Sequence, residues 1–559
     1  MSRSLSSGSS LETLKKEAKR WLKAIREGDA RARMRLAAAL SGEGPPPAEP
    51  TLRDVQLALA REHGLPGWSA LRNALEDLAL ARRSIAERAE IVLRSAAWGG
   101  DWMAAGRILT RWPEIGRHSL VAAVISSNVE EVQRRLATDP EAAGRKGGPL
   151  EWEPLLYLAY GRLPGSETHS IAVATALLDS GADPNVRWLD DGGNPFTVLT
   201  GVIGRGESDE RPHPQARELA ALLTARGANP FDTQALYNTA VQDDDTTWLE
   251  FLWGESDRCG VLDRWREIPT GRRIGGRVVM NALDYLLGVA VNNRHVRRVD
   301  WLLNHGAHAD GVHAYSGRPL HEEALVRGSR EIADQLVRFG AEARPLQGHA
   351  AFHAAVACLD HDVAREFVAS HPEALKHAHL MLQAAGAGRV DVISFLLELG
   401  MDVDVTDHGL RRGLHQAVLN GSLEAVKLLV ARGADIDRPT TQYDGALGWA
   451  AFFKRREIAD FLAPLSRDVW NLTYLDKVDR VRELLAQDPT LANARHPHSG
   501  GTPLFHLPDD EDAAADLAAL LLAHGANTHV TNKKGLTAEQ AARERGLIDA
   551  ADIIKGDDD

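Results

Sequence analysis

The sequence predicts an all-α solenoid of short helix–turn–helix units, preceded by a small helical module. Three observations predict it. A Leu-Leu pair followed by Gly-Ala-Asp or a variant recurs along the chain. Two glycines stand at a fixed distance within several of the units. The chain has 559 residues of ordinary soluble composition, 44% hydrophobic and 26% charged, too long for one compact core but suited to an array in which each unit contacts only its neighbours.

The echo appears at Leu177-Leu178 with Gly181-Ala182-Asp183, and at Leu222-Leu223 with Gly227-Ala228-Asn229. It returns at Leu302-Leu303 with Gly306-Ala307, then at Gly340-Ala341, Gly400-Met401-Asp402, Gly433-Ala434-Asp435 and Gly525-Ala526-Asn527. Gly328, Gly388 and Gly421 each stand twelve residues before Gly340, Gly400 and Gly433, about three helical turns. Each unit therefore ends in a helix that starts after one glycine and stops at the next. Between Ser422 and Arg432 the apolar residues Leu423, Val426, Leu428, Leu429 and Val430 make a broad face, as a helix packed between neighbours needs. Gly433 supplies the left-handed residue that ends it.

The first helix of each unit is read from Gly317-Arg318-Pro319-Leu320-His321, Gly413-Leu414-His415 and Gly501-Thr502-Pro503-Leu504. At the last of these Thr is expected to cap, Pro to take the first helical position and Leu to point inward. Trp112-Pro113, Asp139-Pro140, His371-Pro372 and Asp488-Pro489 replace the terminal glycine, because proline also stops a helix. Both kinds of ending together give roughly thirteen or fourteen units. The last, from Gly535 to Arg543, is charged and reads as a cap whose outer face meets water.

This pattern resembles the ankyrin repeat, with its turn, helix, turn, helix and about 33 residues per unit. Gly306 to Gly340 is 34 residues and Gly400 to Gly433 is 33. The family's Thr-Pro-Leu-His motif is kept in part: Thr502-Pro503-Leu504 is followed by Phe505, while His321 and His415 stand without the Thr. The resemblance implies a protein-binding array that presents its turns and first helices on a concave face.

Residues 1–10 read as a disordered tail and 11–80 as a helical module, similar to the region that precedes ankyrin arrays in some bacterial proteins. Leu11, Leu14, Ala18, Trp21, Leu22 and Ile25 share one helical face. Ser9 with Glu12 suggests a capping box. Gly44-Pro45-Pro46-Pro47 breaks the module, and Thr51 is placed to cap its next helix. Degenerate repeats are expected over 85–253, an irregular insertion over 254–280, and regular repeats with a C-terminal cap over 281–555. Insertions are also read at Gly161–His169 and Arg205–Pro214.

The net charge of −13 argues against a general nucleic-acid binder. Ten Lys and Arg face four acids in residues 1–40, either a site for an anionic partner or a solvated helix face. Cys259 and Cys358 give no disulfide framework. No apolar run is long enough to span a membrane and no signal segment is read, so the expectation is a cytoplasmic monomer.

The chemistry-bearing motifs are absent. There is no phosphate-cradling Gly-rich loop and no nucleophile elbow. His321-Glu322 lacks its second zinc ligand because Leu325 stands there. Asp402, Asp404 and Asp407 lack the glycine and glutamate of a calcium loop. His349, His353, His371, His377 and His379 are the densest histidines, with no Cys or carboxylate at ligand spacing. No catalytic, cofactor or metal residue is therefore assigned, and no cofactor is expected. The partner-binding candidates are Trp188, Asp190 and Asp191 in a finger-like turn, with Trp265 and Arg266 in the irregular segment. The function expected is a non-catalytic scaffold for a protein partner. The alternatives are an effector that uses the array for targeting, or contact with an anionic surface or nucleic acid through the basic N-terminal helix.

Overall fold

The computed structural model describes residues 5, 11–41, 50, 52–97, 100–163, 169–206, 211–241, 243–267, 280–441 and 444–556. The features read at Ser9, Gly44–Pro47 and Thr51 lie outside the described residues, as do parts of the three insertions. Helix dominates and strand is minor, so the all-α reading holds. The chain forms two compact units, one of residues 76–347 and one of residues 1–75 together with 348–559.

Among the described residues of the unit 76–347, seven helix pairs run from Ile85–Ala96 with Trp102–Arg111 to Leu320–Val326 with Arg330–Arg338. First helices pack on first helices throughout, and second helices on second helices from Val129–Thr138 through Ser170–Asp179 to Ala216–Ala225 and again between Val296–Asn304 and Arg330–Arg338. Leu155, Val198, Leu219, Leu286 and Leu336 are buried along this stack in one continuous core, as expected when each unit supplies a slice of a shared interior.

The described residues of the other unit form seven pairs, from Gly348–Ala357 with His361–Ser370 to Ala538–Glu544 with Ile548–Lys555. Here the Thr-Pro-Leu start behaves differently from the expectation. Pro503 takes the first position and Leu504 is buried, but the helix is a three-residue 3-10 turn and the Thr502 hydroxyl makes no capping bond. Thr537 does cap, in a reciprocal box with Gln540.

The helix ends follow the two routes read from sequence. At Gly433 φ is +89°, and Ala434 N–H bonds back to the Leu429 carbonyl at 3.0 Å, satisfying an otherwise orphaned acceptor. Each Pro ending instead turns into a five-residue 3-10 helix: Pro113–Arg117, Pro140–Gly144, Pro372–Lys376 and Pro489–Asn493.

The turn between the two helices of a unit explains why the glycine register was visible only in places. It needs one residue at positive φ. Gly328, Gly388, Gly421 and Gly546 supply it cheaply, but Ser127, Arg294, Leu359, Lys454 and Asp476 hold the same place at φ of 52° to 60°. These side chains sit where a Cβ is crowded, at a cost of roughly 1–2 kcal/mol each. Replacing Lys454 by glycine is therefore expected to stabilise the protein by about 1 kcal/mol, after the larger entropy of an unfolded glycine is subtracted. Urea unfolding would read the gain, and an unchanged or lower midpoint would refute the strain argument.

The N-terminal helices are α1 (Leu11–Arg26), α2 (Ala30–Ala39), α3 (Leu52–Glu62) and α4 (Trp68–Leu80). The face read from sequence is their core: Leu14, Ala18, Trp21, Leu22 and Ile25 are buried. Trp21 donates to the Ala32 carbonyl at 3.0 Å, and the Arg35 guanidinium lies 3.7 Å over its ring. Arg35 forks onto Glu62 at 2.7 and 2.6 Å. Its basic residues turn toward the last repeats. Lys15 pairs with Glu511, Lys19 with Asp549 at 2.7 Å, and Gln56 donates to Asp512. The charged end of the array, read as facing water, is thus partly covered by the chain's own first helices. Asp512 and Asp516 feel that cover: burial raises both carboxyls, Asp516 to about 6.

Candidate protein-binding surface

The finger-like turn around Trp188 is a two-stranded antiparallel hairpin, Arg187–Leu189 with Pro195–Thr197, in which Trp188 faces Phe196. Arg187-Trp188-Leu189 and Pro195-Phe196-Thr197 flank Asp-Asp-Gly-Gly-Asn, a turn-rich loop between two short runs holding aromatic residues, as a hairpin needs. The Asp190 carboxylate closes the turn, accepting from Asn194 N–H at 2.7 Å and from its side-chain amide at 2.9 Å. The side-chain bond and then the backbone bond from Asn194 hold Asp190 below the usual carboxylate range.

An aromatic stack supports the hairpin from one side. Trp188 lies on Phe196 at 4.8 Å between ring centres and on Trp152 at 5.5 Å, with Tyr160 edge-on at 5.9 Å. The Tyr160 hydroxyl donates to the Thr197 carbonyl at 2.7 Å. Below the second strand, Asp232 is buried and accepts from Thr197, Thr200 and the amides of Gln234 and Ala235. Burial raises its carboxyl in spite of these donors. The outcome is a stiff hairpin whose exposed edge carries Arg187, Asp191 and Leu189, the last 61% exposed.

The other two candidates stand elsewhere. Trp265 is wholly buried, donates to Ser256 Oγ at 3.0 Å, and packs edge-on against Trp253 and Phe231. Arg266 lies over the Trp253 ring and donates to the His305 carbonyl at 3.1 Å. Trp265 offers a partner no surface. Trp152, Phe196 and Leu189 were missed as members of the surface. The Asp-Asp-Gly-Gly-Asn turn places Leu189 and Phe196 on its two flanks, whereas the contact with Trp152 has no local signal.

A constellation invisible in the sequence appears in the other unit. His496 Nε2 lies 2.7 Å from the Asp444 carboxylate, and its Nδ1 lies 3.1 Å from Ser499 Oγ. This resembles a serine–histidine–aspartate triad, but the groups are committed to a turn. Ser499 N–H donates to Nδ1 at 3.1 Å, and Ser499 Oγ accepts from Gly501 N–H at 3.2 Å. The same lock recurs at His313-Ala314-Tyr315-Ser316-Gly317, where Nδ1 lies 3.0 Å from Ser316 Oγ and accepts from Ser316 N–H. The arrangement is the way these repeats close a turn. The clustered histidines pack on rings: His371 stacks on Phe367, and His353 lies beside His379. Among the described residues no three His, Cys, Asp or Glu form a metal cluster.

Buried histidines do make stability depend on pH. Burial lowers His213 to about 4, with nearby Arg162 adding to the effect. In the unfolded chain it titrates near 6.5, so the unfolded state binds more protons between those values. Stability is then fully present above about 6.5 and falls as the pH drops toward 4. From pH 7 to 5 this one group is expected to cost roughly 2 kcal/mol. His213→Gln should flatten that part of the urea-midpoint profile; an unchanged slope would count against it.

Comparison with known proteins agrees with the helix–turn–helix architecture. Residues 360–440 and 380–473 match the model of the ankyrin repeats (3 copies) family. The ankyrin repeat protein YahD of Escherichia coli strain K12 is 28% identical over 187 residues, 31% of this chain and 92% of that protein. Among solved structures, a chain of the complex between the predatory endopeptidase Bd0816 of Bdellovibrio bacteriovorus and immunity protein Bd3460 is 22% identical. It covers 31% of this chain and 96% of its own, with a TM-score of 0.25. An ankyrin repeat domain from Acinetobacter baumannii AYE is also 22% identical, covering 32% and 97%, with a TM-score of 0.26.

Proposed function

This chain is an ankyrin-repeat protein, and we propose that it acts as a non-catalytic scaffold that grips a protein partner on the turns and first helices of its array. Ankyrin repeats are protein–protein interaction modules. The observation that carries the finer reading is the hairpin of residues 187–197. It is held by stacked rings, so little entropy is lost when a partner docks on it. It presents Leu189 as an exposed apolar contact beside the charges of Arg187 and Asp191, with Arg among the residue types enriched at binding hot spots, while Trp188 holds the hairpin from behind.

Cys259 is exposed and Cys358 partly so, and an exposed thiol suits a reducing cytoplasmic setting. No helix of the described residues is long and apolar enough to cross a membrane. The basic-helix alternative loses support because Lys15 and Lys19 already pair with carboxylates of this chain.

A photo-crosslinking residue at position 189 should capture a discrete partner from native lysate, and one at the far end of an exposed second helix, such as Arg338, should not. Asp191→Lys should weaken that capture about tenfold while leaving the unfolding midpoint unchanged. Equal capture from both positions, or none from 189, would refute the hairpin reading.

A further inference from the structure

In the unit of residues 76–347, carbonyls at the ends of three first helices converge on one short segment. The last carbonyls of a helix have no partner within it, and they carry the negative end of its dipole. Ala96 ends the helix Ile85–Ala96, Ala159 lies in the last turn of Pro154–Tyr160, and Gly201 and Val202 lie in the last turn of Val198–Ile203. Arg162 takes three of them. Its main-chain N–H donates to the Ala96 carbonyl at 3.3 Å. Its Nη1 donates to the Ala159 carbonyl and its Nη2 to the Gly201 carbonyl, each at 2.7 Å. From the second insertion, the Arg211 carbonyl accepts from Arg162 Nε at 3.0 Å, and the His213 N–H donates to the Val202 carbonyl at 2.9 Å.

The next residue, Leu163, is buried in a cluster with Ala96, Val121, Ile125 and Tyr157, side chains of three consecutive first helices. Every residue of Leu120–Ile125, Pro154–Tyr160 and Val198–Ile203 is buried. The first helix Leu320–Val326 of the same unit instead keeps His321, Glu322 and Leu325 half-buried. A guanidinium against helix C-termini and a leucine among first-helix side chains are the contacts a docked protein segment would make. Here the chain makes them itself.

We propose that Arg162-Leu163 is a plug occupying a groove for protein segments that carry an arginine followed by an aliphatic residue, and that a partner enters the groove by displacing it. Tethered beside its site, the plug acts at an effective concentration on the order of millimolar. A partner therefore needs further contacts along the array to displace it. The proposal rests on the reading of the array as a protein-binding scaffold, and not on the hairpin of residues 187–197.

Hydrogen–deuterium exchange and ligand-observed NMR on the full chain test it, with N-acetyl-Gly-Arg-Leu-N-methylamide and its Gly-Glu-Leu counterpart as probes. In Arg162→Ala/Leu163→Ala, residues 162–163 and 211–213 are expected to exchange at least about tenfold faster than in the native chain, with the helix Ala216–Ala225 unchanged. The Arg peptide should bind that variant at least about tenfold more tightly than the native chain, and should slow exchange at His213 again. The Glu peptide should do neither, because its carboxylate meets the negative ends of helices. Leu163→Ala alone keeps the guanidinium bonds. It should show the same pattern more weakly, and it decides the matter should the double variant fail to fold. Acceleration spread over the whole unit in both variants would make the pair a fixed part of the core and overturn the proposal. Unchanged exchange at 211–213, no peptide binding to the opened variant, equal binding by the native chain, or equal binding of the Glu peptide would overturn it too. Capture at position 189 is independent of these outcomes, so failure of the plug and failure of the hairpin reading are distinguishable.

Discussion

Replacing Trp265 by alanine is expected to destabilise the unit of residues 76–347 by about 3–5 kcal/mol, the usual cost of removing a buried Trp. The ring is wholly buried and packs edge-on against Trp253 and Phe231. Its indole N–H is the donor to Ser256 Oγ, itself fully buried, so truncation leaves both a cavity and a stranded hydroxyl. Trp265→Phe keeps most of the packing and loses the hydrogen bond, so it should cost less, about 1–2 kcal/mol. Chemical denaturation of both variants separates the two contributions. If Trp265→Ala unfolded at the native midpoint while partner binding was lost, the side chain would be a contact residue and the packing argument would fail.

Trp265 also shows what the sequence could and could not convey. Thirteen tryptophans are spread along the chain, and nothing local separates a buried ring from an exposed one inside an irregular segment. Trp188 was better placed because Gly181-Ala182-Asp183 locates the turn that follows it. The repeat itself was legible wherever the backbone demanded a positive φ and glycine met that demand. It faded where Leu359, Lys454 or Asp476 adopted the same conformation, since the physical requirement is an angle and glycine is only its cheapest supplier. Contacts between distant segments left no trace at all. Trp152 reaches Trp188, and Asp444 reaches His496, through the stacking of units, which no periodicity encodes. The docking of the N-terminal helices on the last repeats is the extreme case: Lys15 and Glu511 are separated by 496 positions.

That docking carries the second large expectation. Reversing both charges in Lys15→Glu/Lys19→Glu should lower the stability of the unit formed by residues 1–75 and 348–559 by about 3 kcal/mol. Surface ion pairs are usually worth less than 1 kcal/mol, but Asp549 has a side chain only 5% exposed. A carboxylate held that far from water is costly once its partner is gone, and costlier beside a like charge. The neighbouring carboxyls sharpen the effect. Asp512 and Asp516 are already raised by burial, so the patch carries more negative charge than it can comfortably hold. The Asp516 carboxyl, titrating near 6 in the folded chain, takes up its proton before the unfolded chain does, and acidification from pH 7 should relieve that group. The variant should therefore lose less stability at pH 5 than at pH 7, and less again in 1 M salt, where exposed charges are screened. Adding Glu511→Lys to Lys15→Glu restores opposite charges at the same place. It should recover part of the loss, and this coupling is the direct measure of the contact. A charge-reversed chain with the native midpoint, or a charge swap that recovers nothing, would show that the basic helix does not hold the end of the array and would return it to the role of a free surface for an anionic partner.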